Sequence, residues 1–103
     1  MTNDKPTAHC SYAAKTVAKI LLDIGAVNFR PEEAYILTSG WASPVYIDCR
    51  KLISFPRARR KVIELAARQV SDAAGYEAFD AVAGGETAGI PYSAWLADAL
   101  DLP

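Results

Sequence analysis

The run Phe79-Asp80-Ala81-Val82-Ala83 empties directly into Gly84-Gly85-Glu86-Thr87-Ala88-Gly89-Ile90-Pro91. That order constrains the fold more than any other feature of the chain. Five mostly apolar residues without polar alternation read as a short strand buried on both faces, the mark of a parallel sheet. A glycine-rich turn after such a strand lets the backbone approach a ligand with no Cβ in the way. The N–H groups freed in the turn, with the first turn of the helix that follows, make a pocket of positive partial charge suited to phosphate or diphosphate. The spacing is not a Walker loop, since no Gly-Lys-Ser/Thr follows, and it is not the dinucleotide fingerprint. A connection that uses glycine only for its turn is the other reading, and the loop alone does not decide between the two.

The 103 residues make at most one domain. The apolar share, 51%, is enough for a core, and a net charge of −1 lacks the clustered basic excess of a nucleic-acid footprint. No nucleic-acid partner is expected. The opening, Met1 to Thr7, is polar with both charge signs, unlike a signal peptide. No apolar run is long enough to cross a bilayer, so a cytoplasmic protein without a membrane partner is expected. Cys10 and Cys49 are far apart and lack metal-ligand spacing; two reduced thiols account for them. Neither they nor the lone His9 receives a catalytic or metal-binding role.

Residues up to about Tyr12 read as a mobile arm. Val17, Ile20, Leu21 and Ile24 fall at helical spacing over Ala13 to Ile24, and Gly25 ends that helix. Ala26 to Phe29 is a short extended piece, and Pro31-Glu32-Glu33 a turn. Tyr35-Ile36-Leu37 and Val45-Tyr46-Ile47 read as paired strands with Ser39 to Pro44 as the hairpin loop. A long helix is predicted from Pro56, at a position that tolerates proline, to Ala74, with Val62, Leu65, Ala66 and Val70 as its inner stripe. Gly75 ends it, the strand at Phe79 follows, and a last helix runs from Ile90 to about Leu100. Helices thus flank that strand on both sides, as in a βαβ unit. Yet the sequence ends at Pro103, where the next parallel strand is due, and a single strand cannot satisfy its own backbone groups. The expectation is the front part of a larger α/β protein.

Three pieces carry a family resemblance. Leu37-Thr38-Ser39-Gly40-Trp41-Ala42-Ser43-Pro44-Val45-Tyr46-Ile47-Asp48 is similar to the hood hairpin of the orotate phosphoribosyltransferases, a Ser-Gly-x-x-Ser-Pro-x-Tyr pattern. Ser54-Phe55-Pro56-Arg57 before a long helix matches the next segment, and Phe79 through Pro91 matches the strand and pyrophosphate loop. The hairpin is the specific part, because other phosphoribosyltransferases have unrelated hoods. The resemblance implies an α/β type I phosphoribosyltransferase fold, a parallel sheet flanked by helices plus an N-terminal hood, here incomplete. Residues 1–55 would hold the arm, first helix and hood hairpin, and residues 56–103 the first helix-strand-helix part of the core.

The activity implied is transfer of ribose 5-phosphate from phosphoribosyl diphosphate to orotate, giving orotidine 5'-phosphate and pyrophosphate in the de novo route to UMP. Mg²⁺ is the implied cofactor and a homodimer the implied assembly. Ser43, Tyr46 and Ile47 stand where the family holds orotate. Thr38, Gly84, Gly85, Glu86, Thr87, Ala88 and Gly89 stand where it holds the diphosphate donor. Many members carry lysine where this chain has Thr38, which offers a hydroxyl in place of a charge. Thr87 and Ala88 replace bulkier or charged residues, leaving the binding there to the backbone. The catalytic loop and the ribose-phosphate loop are expected beyond Pro103, so the 103 residues alone are expected to show no turnover. The other readings are a phosphoribosyltransferase-fold regulator and a purine-type phosphoribosyltransferase, the latter opposed by the hood hairpin.

Single residues admit plainer accounts. Tyr46 reads as a strand residue with its hydroxyl in solvent until the hairpin match makes it an orotate contact. Trp41 at a loop tip either marks an interface or packs on its own hood, whereas Trp95 reads as core. Arg57, Arg59, Arg60 and Lys61 crowd a helix N-terminus, where the dipole prefers anions. They read as a solvated face, or else as partners for acids across a dimer interface or a positive field near anionic substrates. Asp48, Arg50 and Lys51 are expected to fix the hairpin exit by charge pairing. Glu86 either aims at Mg²⁺-bound water or stabilises its own loop.

Overall fold

A computed structural model describes residues 8–75 and 77–103. Helix α1 spans Ala8–Asp23, strand β1 Val27–Phe29, β2 Tyr35–Ile36, β3 Ala42–Ser43 and β4 Val45–Ile47. A 3-10 helix at Cys49–Ser54, helix α2 at Pro56–Ala74 and helix α3 at Gly89–Leu100 complete the order. The sequence thus located all three long helices, but α1 begins earlier than expected. Residues 8–12 belong to it, which corrects the expected arm there; the rest of that arm, residues 1–7, lies outside the described residues.

Helix α1 ends because Gly25 takes φ +74, a conformation a side chain resists. The Gly25 amide then donates to the Leu22 carbonyl and the Ala26 amide to Leu21, satisfying carbonyls that the helix leaves open. Helix α2 starts on Pro56, where the missing N–H costs nothing, and ends at Gly75, φ +87. Helix α3 closes through Asp101 in the left-handed region, with amides of Asp101 and Leu102 donating to Asp98 and Ala97.

The hood differs from the expected hairpin. Tyr35 and Ile36 pair with Ser43 and Ala42, while Val45 to Ile47 pair with Phe29 to Val27. Residues 42–47 therefore serve two partners and switch at Pro44. Proline has no N–H for a ladder, and its carbonyl instead accepts from the Arg30 amide at 2.7 Å. The Ser43 hydroxyl fixes the switch by donating to the Val45 carbonyl at 2.7 Å and accepting from the Val45 amide at 3.1 Å. The connecting loop shrinks to a tight turn at 37–41, where Gly40 has φ +90 and the Leu37 amide donates to the Trp41 carbonyl.

The expected strand at Phe79 to Ala83 is not formed. A strand exists only by pairing, and among the described residues the Val82 amide finds one partner, the Pro103 carbonyl at 3.0 Å. Phe79 is correspondingly 47% exposed.

Helix α2 packs against α1, the 3-10 helix and α3. Leu65, at 2% exposure, is the most covered residue of its stripe, while Val62, Ala66 and Val70 are half-buried. Ala13, Leu52 and Ala97 are the buried residues on the three neighbouring elements. Leu65→Ala should cost about 2–5 kcal/mol, the range for truncating a buried leucine. A urea-unfolding midpoint measures it, and a loss within experimental error would show that α2 does not hold the core together.

Candidate functional site

The glycine loop is built by one close approach. A Cβ placed on Gly84 would lie 2.2 Å from the Gly89 carbonyl oxygen and 2.5 Å from Ser93 Oγ. Only glycine permits that contact, so the loop is pressed onto the first turns of α3. Ser93 Oγ is itself held by donation to the Ile90 carbonyl. The Gly89 amide donates to Gly85 and the Ile90 amide to Thr87, curling the chain over the helix N-terminus. Among the described residues, the amides of Gly85, Glu86, Thr87 and Ala88 donate to no backbone carbonyl outside the helices and strands. Free amides at a helix N-terminus form an anion cradle. Gly84 to Ala88 are exposed and Gly89 is half-buried, so a ligand reaches them. Phosphate binding is the reading this geometry favours over a bare turn.

A second cluster lies on the hood. Tyr35, Ile36, Leu37, Thr38, Ser39 and Tyr46 line an open hollow of about 600 Å³. The Tyr35 and Tyr46 ring centroids are 5.7 Å apart, and the Arg30 guanidinium sits 4.8 Å over the Tyr35 ring. Two aromatic rings beside hydroxyls suit a flat, polar ring. Thr38 therefore shares its surroundings with Tyr46. Ile47, next along β4, projects to the opposite face and does not line this hollow. The Ser43 hydroxyl is engaged with Val45 in both directions, so its function in the hood is to fix the chain at Pro44. Sequence reasoning missed Tyr35 and Arg30, because their pairing depends on the switch at Pro44.

The exit from β4 is held by charge. Asp48 Oδ1 accepts from the Arg50 amide at 3.2 Å and from Arg50 Nε at 3.0 Å, and the Asp48 amide donates to the Ala26 carbonyl. Lys51 Nζ donates to the Gly25 carbonyl at 3.2 Å. The expected pairing at this exit is present. The hydrogen bond from Arg50 holds the Asp48 carboxyl below its ordinary value of 3.8, and Asp48 raises the guanidinium in return.

The cations of α2 divide. Arg59 is half-buried, lies 4.4 Å over the Trp95 ring and donates to the Ile53 carbonyl at 2.6 Å. That corrects the solvated-face reading for Arg59: it joins α2 to α3 and to the 3-10 helix. Lys61 Nζ sits 4.0 Å from Glu64, and Arg57 and Arg60 are exposed. Trp95, expected in the core, is half-buried and edge-on to Tyr92, with centroids 5.8 Å apart. Trp41 is 76% exposed and so does not pack on its own hood.

No cluster of three or more His, Cys, Asp or Glu side chains gathers among the described residues. The described residues offer no cage for a divalent ion, and Glu86 is the one carboxylate of the glycine loop. No helix among the described residues is long and apolar enough to cross a membrane.

The chain is 61% identical over 90 residues to the orotate phosphoribosyltransferase of Sinorhizobium medicae, covering 87% of this chain and 39% of that protein. Over that stretch the chain is similar to the N-terminal part of the orotate phosphoribosyltransferases. A crystal structure of orotate phosphoribosyltransferase from Aeropyrum pernix superposes with a TM-score of 0.68 at 33% identity, over 84% of this chain and 49% of that one. The Leishmania donovani UMP synthase structure gives 0.64 at 31% identity, over 84% of this chain and 18% of that one. No protein-family model matches. The fold is thus the α/β type I phosphoribosyltransferase fold, incomplete here, and the chain spans about two fifths of the length of the curated relatives it matches.

Two outcomes are expected. Gly84→Ala forces the loop off α3 and should lower affinity for inorganic diphosphate at least about tenfold, the change that follows from about 1.4 kcal/mol of lost binding. Calorimetric titration measures it, and unchanged affinity would remove the loop from the site. The Asp48 carboxyl should titrate below 3.8 by carbon NMR and return toward it in Arg50→Gln. Because its folded-state pKa is depressed, the pair's stabilisation is present above the unfolded value and lost as pH falls through the folded one.

Proposed function

We propose that this chain is the base-covering and diphosphate-holding part of an orotate phosphoribosyltransferase, an enzyme that joins orotate to the ribose 5-phosphate of phosphoribosyl diphosphate. The observation that carries the reading is the 61% identity to a relative of that name, and the loop and hood supply compatible chemistry. Bond cleavage at the anomeric carbon leaves charge on the departing diphosphate. Amides of Gly85 to Ala88, fixed before the reaction by the contact at Gly84, can stabilise that charge without reorganising. Tyr46 and Tyr35 offer ring faces to the base, and Thr38 offers a hydroxyl at the edge of the same hollow. With Ser43 committed to Val45, backbone groups of the hood are left to hold the polar edge of orotate.

Glu86, the single acid of the glycine loop, would be the residue of this chain to hold a Mg²⁺ ion brought with the donor, since such an ion needs only one or two protein carboxylates. When bound, the ion adds positive charge at the diphosphate. A homodimer in the cytoplasm completes the proposal. The exposed Trp41 is the hood residue best suited to meet a second subunit.

Orotate consumption by ultraviolet absorbance, with donor and Mg²⁺, tests the reading. A polypeptide extending this sequence over the relatives' full length should consume orotate only when both are present. The 103 residues alone should leave the absorbance unchanged. A folded full-length polypeptide without donor-dependent consumption would sink the assignment.

A further inference from the structure

The two clusters of the site sit on different elements, and one side chain ties them together. Tyr92 lies on α3, three residues after Gly89, and its hydroxyl donates to the Cys49 carbonyl. Cys49 opens the 3-10 helix two residues beyond Ile47, so the acceptor continues the strand that carries Tyr46. At its other end, α3 begins at the loop that Gly84 seats against Gly89. The path from the diphosphate amides to the hood strand is therefore one turn of helix, one hydrogen bond and a short stretch of backbone.

The surroundings make that path stiff. Tyr92 is half-buried and its ring is braced edge-on against Trp95, which the Arg59 guanidinium covers on a face. Arg59 in turn donates to the Ile53 carbonyl, within the same 3-10 helix that Cys49 opens. On the hood side, Asp48 is fixed by the Arg50 pair and by the hydrogen bond its amide donates to the Ala26 carbonyl. Burial, followed by the charges of Cys49 and Asp48, pushes the Tyr92 phenol above its ordinary value. The hydroxyl therefore stays protonated and able to donate.

We infer that Tyr92 is a positioning residue, whose hydroxyl on the Cys49 carbonyl sets the hood strand relative to the glycine loop and couples occupancy of the diphosphate site to that of the base hollow. Tyr92 touches neither substrate in this reading; it acts through Cys49. The inference rests on the proposed function, since it takes the loop for a diphosphate site and the hollow for a base site. A helix turn and a hydrogen bond with two braced ends form a physically contiguous route, as energetic coupling between sites requires.

The test is an NMR titration of the full chain with inorganic diphosphate, following backbone amides in the wild type and in Tyr92→Phe. The variant keeps the ring against Trp95 and removes only the hydroxyl. In the wild type, amides of Gly85 to Ala88 should shift, and those of Ile47 to Arg50 should shift at the same apparent affinity. Orotate should bind about fivefold tighter or more with diphosphate present, the low end of ordinary coupling. In Tyr92→Phe the loop shifts persist, the hood shifts collapse and the gain in orotate affinity disappears. A merely structural tyrosine would change the melting temperature and leave the gain intact, which overturns the inference. Loop amides that ignore diphosphate in the wild type would overturn the proposed function itself. Loop amides that respond without the hood following would overturn only the role of Tyr92. That wild-type comparison decides the matter even if Tyr92→Phe fails to fold.

Discussion

The apolar stripe of α2 is the constraint on which the rest depends. Helix α1, the 3-10 helix and α3 all rest on α2, and each carries a buried residue, Ala13, Leu52 and Ala97. Small residues let the helix backbones come close, and that closeness brings Arg59 of α2 onto Trp95 of α3. Once α3 is fixed, Gly84 can fold its loop onto the helix start, and Tyr92 can reach the 3-10 helix. The shape of the glycine loop is thus a consequence of helix packing some distance from it.

The hood is held by a different kind of force. Its four strands are two or three residues long, too short to be stable as isolated ribbons. Pro44 divides the continuous segment between two partners, and hydrogen bonds from Arg30 and within Ser43-Val45 hold the division. The tilted ring pair of Tyr35 and Tyr46 then joins the two ribbons across the hollow. Asp48, Arg50 and Lys51 anchor the whole unit to the end of α1 and to the 3-10 helix. Polar fixation lets the hood carry exposed apolar residues such as Ile36 and Ile47 without a core of its own.

The accessible surface is 7820 Å², against about 5,700 Å² for a folded monomer of this mass. The radius of gyration, 15.7 Å, also exceeds the roughly 13 Å of a compact domain this long. Part of the exposed apolar surface lies where an α/β sheet would be. Phe79 and Ile90 are half exposed, and among the described residues the apolar run before the glycine loop has hardly any backbone partner. A run of that composition is built for two neighbours in a sheet, which agrees with a fold matched over only part of its relatives' length.

The sequence by itself determined what is local. Helical spacing with Pro56, Gly25 and Gly75 as punctuation located α2 and ended two helices, because capping and backbone freedom act over a few residues. The glycine loop and the Ser-Gly-x-x-Ser-Pro-x-Tyr hairpin were legible for the same reason, and they pointed to the family before any geometry was known. Tertiary structure alone decided the strand partners at Pro44 and the commitment of the Ser43 hydroxyl. It also decided the absence of a ladder at Phe79, Arg59 on Trp95, and Tyr92 on the Cys49 carbonyl. Each of these depends on which distant backbone groups are left over to be satisfied, and that is known only once the helices have packed.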